Sequence, residues 1–148
     1  HRAREAMAAY DQTRQPITAE LHAKTRAALD SFFAALISGD ATELARLVRD
    51  DCTELSDGAG QYTASRVPIV GRDRVILFQR RLVEIRGVPA TFEYRTFNGL
   101  PALLVTFDHS RNQEPARAFL SATVDPNGQI SSFFNIVADR KLTHVQFG

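Results

Sequence analysis

From Thr18 to Ile37 apolar side chains return every three or four positions: Leu21, Ala28/Leu29, Phe32/Phe33 and Leu36/Ile37, with Thr25 in the same stripe. That period predicts an amphipathic helix. Ser38-Gly39 ends it, glycine being suited to a left-handed cap. Asp40 followed three residues later by Glu43 has capping-box spacing and predicts a second, short helix carrying Leu44, Leu47 and Val48. Cys52–Ser56 predicts a strand, Asp57-Gly-Ala-Gly60 a turn, and Gln61–Arg66 the returning strand. Beyond Pro68 and Gly71 the helical period resumes through Val75, Ile76, Leu82 and Val83, predicting a third helix over 72–86 that stops at Gly87.

The remainder alternates with the period of strands, expected at 90–97, 101–108, 116–125 and 129–137. Asn98-Gly99 is the pair best suited to a type I′ hairpin turn, and Pro126-Asn-Gly128 marks another turn. The order α-α-β-β-α-β-β-β-β is an α+β layout. In the later strands both faces are apolar: Leu103 and Val105 alternate with Ala102 and Leu104, Leu120 with Phe119, and Phe133 with Phe134. A sheet with one wet face would put polar residues on alternate positions. Both faces are therefore expected to be covered, one by the helices and the other by a partner, with a homodimer among the choices.

Composition narrows the class of protein. Hydrophobic content of 44% and charged content of 24% are those of a globular domain, and no apolar run reaches the ~20 residues that span a bilayer. One cysteine, Cys52, supplies neither a disulfide framework nor a cysteine-based metal site, and implies a reducing, cytoplasmic setting. Net charge is +1, and residues 31–148 hold thirteen Arg/Lys against thirteen Asp/Glu. So even a balance gives no basic stripe for phosphates, and DNA binding by this chain alone is not expected.

Several stretches together resemble one family. His1-Arg-Ala-Arg4 is similar to the end of the promoter-recognition helix of sigma-70-type RNA polymerase sigma factors. Asp57–Gly60, Arg66-Val-Pro-Ile-Val-Gly71, Asn98-Gly-Leu-Pro-Ala-Leu-Leu104 and Asp139-Arg-Lys-Leu142 resemble, in order and spacing, the C-terminal extension of extracytoplasmic-function sigma factors of the sigma J type. Two departures stand out. Ala59 replaces the middle glycine of the family's turn, and the Asn-Pro that usually precedes the closing Asp is missing. The resemblance implies a SnoaL-like domain with the cone-shaped fold of nuclear transport factor 2, a curved antiparallel sheet packed with three helices. It also implies an organisation: residues 1–9 as the tail of a recognition helix whose body lies upstream, 10–17 as a linker, 18–142 as the SnoaL-like domain and 143–148 as a tail. The implied role is regulation in cis, through contacts with the other sigma domains and the RNA polymerase core, with DNA touched only through the upstream domains. Protein contacts are then expected at Asp57, Gly58, Ala59 and Gly60, and at Asp139, Arg140, Lys141 and Leu142.

The same cone carries enzymes, so the residues must decide between chemistry and contact. Isomerase chemistry needs a carboxylate base and an acid or phenol donor in an apolar pocket; Asp57 and Tyr62 are candidates, with Asn135 as an amide donor. Asp57 before Gly58 also suits a turn, and Tyr62 a strand rim. Asn135 reads equally as a pocket residue or a buried structural amide. Epoxide hydrolysis needs an Asp-Arg-Asp arrangement; Glu93 and Arg95 share a strand face and Arg66 could approach, although an ion pair on an edge strand accounts for the first two. His1, His22, His109 and His144 have no metal-ligand spacing, and Cys52 reads as a small buried hydrophobe. No catalytic residue, metal or cofactor is expected.

Overall fold

The computed structural model describes residues 16–57, 67–108 and 117–136 of the chain. Its elements are α1 (Ala19–Ser38), α2 (Ala41–Leu47), β1 (Val48–Asp57), β2 (Ile69–Val70), α3 (Arg72–Arg86), β3 (Thr91–Phe97), β4 (Leu100–Thr106), β5 (Arg117–Val124) and β6 (Ile130–Ile136). This is the expected order. Thr18 caps α1 by accepting a hydrogen bond from the Leu21 amide, and Gly39 closes the helix at φ 75°. Asp40 accepts the Glu43 amide at 3.0 Å, whereas the Glu43 carboxylate turns away to Arg46; only half of the anticipated capping box forms.

Two boundaries differ from the sequence expectation. Val48 is the first residue of β1, not part of α2: it is fully buried, β-branched and paired in register with Ile130. Ile69-Val70, to which the sequence pattern assigns no element, pairs antiparallel with Glu54 and Thr53 of β1. The return strand expected at Gln61–Arg66 lies outside the described residues.

The strands form one curved, unclosed six-stranded sheet in the order β2-β1-β6-β5-β4-β3. β3 to β6 are an antiparallel meander. β1 runs parallel to β6, so the sheet is mixed where an antiparallel one was expected. Alternation specifies which side chains share a face but not which way a neighbouring strand runs. The direction of β1 is set by α2, whose last residue leads directly into it.

All three helices lie on one face of the sheet. Leu29 and Phe32 of α1, Leu44 of α2 and Val75 of α3 are fully buried against Cys52, Leu120, Ile130 and Phe133. Phe32 and Phe133 stack with ring centroids 4.7 Å apart. Burying each such side chain contributes about 1.5–3 kcal/mol. At the far edge, Tyr94 of β3 donates to Asp30 of α1 at 2.6 Å, and Arg26 stacks over its ring.

On the opposite face Ala102, Phe119 and Ile136 are buried as a second cluster with Phe97, Leu104 and Phe134. The centre of the face assigned to a partner is thus already buried within this chain. Exposure rises toward β1 and β2, where Leu55 and Val70 are about half exposed.

Candidate functional site

A cavity of about 50 Å³ opens between α1, α3 and the helix-facing side of the sheet. Its walls are apolar, from Phe33 and Leu36 of α1, Val83 of α3, and Val105 and Leu120 of the sheet; Gln79 and Asn135 are the amides among its lining residues. The two amides are buried, while Ile37 and Gly87 at the helix C-termini are exposed. Solvent therefore reaches the cavity from that end, and the amides form its closed pole.

Local structure explains the placement. Val75, Gln79, Val83 and Arg86 fall at i, i+4, i+8 and i+11, one stripe of α3 facing the sheet. Past the register shift at the start of β6, Phe133 and Asn135 share the helix-facing side, which puts Asn135 beside the core residue Phe133 and across from Ser56 in the parallel β1 register. Glu54, opposite Phe133, shares that face.

Electrostatics centre on Glu54. It is fully buried, and its Oε1 accepts from Gln79 Nε2 at 2.6 Å. Burial pushes its carboxyl up to about 8, against which the Gln79 hydrogen bond works. Glu54 is then mostly the neutral acid at pH 7. Its Oε2 and the Ser56 hydroxyl are buried and make no hydrogen bond among the described residues. Asn135 is buried as well, at 5% exposure. The arrangement is an apolar slot whose lining includes two buried amides, with the Glu54 carboxyl holding one of them. No cluster of metal-ligating residues exists among the described residues.

No protein-family model matches the chain, and no curated protein matches it. Solved structures do. The chain superimposes with a TM-score of 0.69, at 21% identity and over 84% of its length, on the extracytoplasmic-function sigma factor SigJ of Mycobacterium tuberculosis. It spans about half of that protein, 46% of its length. A SnoaL-like family protein from Agrobacterium tumefaciens matches 78% of the chain with a TM-score of 0.53 at 6% identity, covering 97% of that protein. The fold is the SnoaL-like cone. An LEH-like epoxide hydrolase from M. tuberculosis shares it, with a TM-score of 0.51 and 19% identity over 78% of this chain and 83% of its own.

Of the contact and pocket candidates, Asp57 and Asn135 fall among the described residues, and these two lie on different faces of the sheet. Asp57 ends β1 beside Ile136, on the face opposite the cavity, whereas Asn135 lies in the cavity. Gly58, Ala59, Gly60, Tyr62, Arg66, Asp139, Arg140, Lys141 and Leu142 lie outside the described residues. Glu93 and Arg95 form the anticipated ion pair on the edge strand β3. Cys52 is fully buried, and burial pushes its thiol up to about 12, consistent with a core residue.

Sequence reasoning missed Glu54, Ser56 and Gln79. Gln79 carried a readable signal, a polar residue on the apolar stripe between Val75 and Val83. Glu54 carried a misleading one, because Leu55 next to it invites the opposite choice of inward face. Leu55 in fact points to the outer side and is about half exposed.

Proposed function

We propose that this cone is a regulatory domain of an extracytoplasmic-function sigma factor, acting in cis in the cytoplasm on promoter-directed initiation. Its partners are then the other sigma domains and the RNA polymerase core, and it performs no bond-making. The observation that carries the reading is the superposition on SigJ over most of this chain and about half of that one. The run of sigma-like motifs from His1 to Leu142 supports it independently, because those motifs were identified by residue type and not by shape. The even charge balance favours protein over DNA as the surface engaged.

The test is transcription by RNA polymerase core with the polypeptide that joins sigma domains to this cone. Deleting residues 18–142, or replacing Asp57 and Gly58 by Ala, is expected to change output from the cognate promoter several-fold in run-off assays. Output unchanged by the deletion overturns the reading; output changed by the deletion alone removes only the Asp57 turn from it.

An enzymatic reading draws on the apolar cavity and on the epoxide hydrolase that shares the fold. The described groups favour binding over turnover: the ion pair of Glu93 and Arg95 lies on the edge strand, and Glu54 holds Gln79. Turnover of an epoxide or a steroid ketone by the purified chain would reverse that preference.

A further inference from the structure

The solvent-facing side of α3 is unlike an ordinary surface helix. Val75 and Gln79 turn toward the sheet and are buried. On the other side Arg74, Leu77, Arg81 and Ile85 fall within an arc of about 80°, at roughly 100° per residue. All four are exposed, Leu77 by 49% and Ile85 by 62%, where polar side chains are the rule. Leu77, Arg81 and Ile85 stand four residues apart and so form one continuous ridge. The charges on this side are also unsatisfied. Arg26, Arg46, Arg49 and Arg95 each pair with a carboxylate. Arg74 and Arg81 have neither a hydrogen bond nor an ion pair among the described residues. Asp73 and Glu84 border the row on one side, with Arg80 between them along the axis, yet neither carboxylate reaches Arg74 or Arg81.

We propose that this side of α3 docks an acidic amphipathic helix of a partner protein, whose apolar side chains pack around Leu77 and Ile85 while its carboxylates pair with Arg74 and Arg81. The ridge specifies a helix, because a row of side chains four residues apart packs into the groove between the rows of another helix. The free guanidinium groups specify its charge: they donate in parallel pairs to carboxylates, and such charge-assisted bonds are the strong ones. A membrane surface fits poorly. It takes a helix whose cations flank an apolar face, whereas Arg81 stands on the ridge between Leu77 and Ile85 and would be carried into the acyl region. Nucleic acid fits poorly too, since Leu77 and Ile85 offer phosphates nothing and the chain's net charge is +1. The surface lies across α3 from the cavity. Binding by this chain alone is at issue, so the inference stands or falls separately from the role in transcription.

The full 148-residue chain is titrated at low salt, by fluorescence anisotropy, with labelled and end-blocked peptides of about 20 residues, long enough to hold a helix. The first has Leu at heptad positions a and d and Glu at e and g; the second has Gln, and the third Lys, in place of Glu. The Glu peptide is expected to bind about tenfold more tightly than the Gln peptide, the ratio expected from one or two charge-assisted hydrogen bonds in water. Its affinity should fall as salt is added, and the Lys peptide should not bind. Arg74→Gln combined with Arg81→Gln is expected to erase the preference for Glu over Gln, and Leu77→Ser to weaken both peptides several-fold. Lys24→Gln, the same loss of charge on α1, is expected to leave the preference intact. Absence of binding by the Glu peptide, equal binding of the Glu and Gln peptides, or tighter binding of phosphatidylserine vesicles or a DNA duplex each overturns the proposal. So does a double arginine variant that folds, by circular dichroism, and keeps the preference. If that variant does not fold, the comparison of the three peptides on the unaltered chain decides.

Discussion

Glu54 is where residue-level chemistry is most exposed to test. Its carboxyl is pushed up to about 8 in the folded state by burial, against 4.5 in the unfolded chain. The folded state thus holds a proton that the unfolded state releases between those values. The stabilisation linked to that proton is complete below about pH 4.5 and is lost as pH rises through about 8. Unfolding free energies from urea titrations should fall across that window, by an amount of order a few kcal/mol at most. Glu54→Gln, which preserves size and stays neutral, is expected to flatten the fall; an unchanged slope would mean that Glu54 is not the group responsible. None of this was readable beforehand. A strand reading of Cys52–Ser56 leaves the choice of inward face to hydrophobicity, and Leu55 is the most hydrophobic residue there. What turns Glu54 inward is the pairing of β1 with Phe133 of β6, a contact between residues 79 positions apart.

Elements, by contrast, were legible wherever their ends are punctuated. Thr18 and Gly39 bound α1, and Gly71 and Gly87 bound α3, as residue type suggests. The Asn98-Gly99 turn has positive φ at both positions, 50° and 80°, as a type I′ hairpin requires. Gly99 does more than turn the chain. A β-carbon there would lie 2.7 Å from Ile17 Cδ1, so the residue preceding the cap of α1 rests on the hairpin. Ile17 makes this contact while remaining 45% exposed. Gly99→Ala is expected to cost about 1–3 kcal/mol in chemical denaturation, from backbone strain plus the displaced isoleucine. Adding Ile17→Ala should recover the steric part alone. A fully neutral Gly99→Ala would show that the hairpin shifts freely. The boundary between α2 and β1 was illegible for the converse reason: no glycine or proline separates Leu47 from Val48, and only pairing with Ile130 makes Val48 a strand residue.

At the scale of the whole molecule, the helix order and the faces of the meander followed from periodicity, while strand direction and the join between β1 and β6 did not. That join organises the cone. β1 contacts only β2 and β6 within the sheet, and the Glu54 carboxyl, Cys52 and Val48 all depend on β6 for their surroundings. A chain ending after Val124 is expected to lose cooperative thermal unfolding, followed by circular dichroism, even though it retains every helix. Cooperative melting in that fragment would show that the meander stands without its last strand. The parallel pairing has a consequence in time as well as in space. A polypeptide emerges from the ribosome from its N-terminus, so β1 leaves the exit tunnel long before the strand it needs. Until Ile130–Ile136 follows, Leu55 and Val70 sit beside an unpaired backbone edge. For that interval the nascent chain presents a sticky strand that a chaperone, or a neighbouring nascent copy, can reach first.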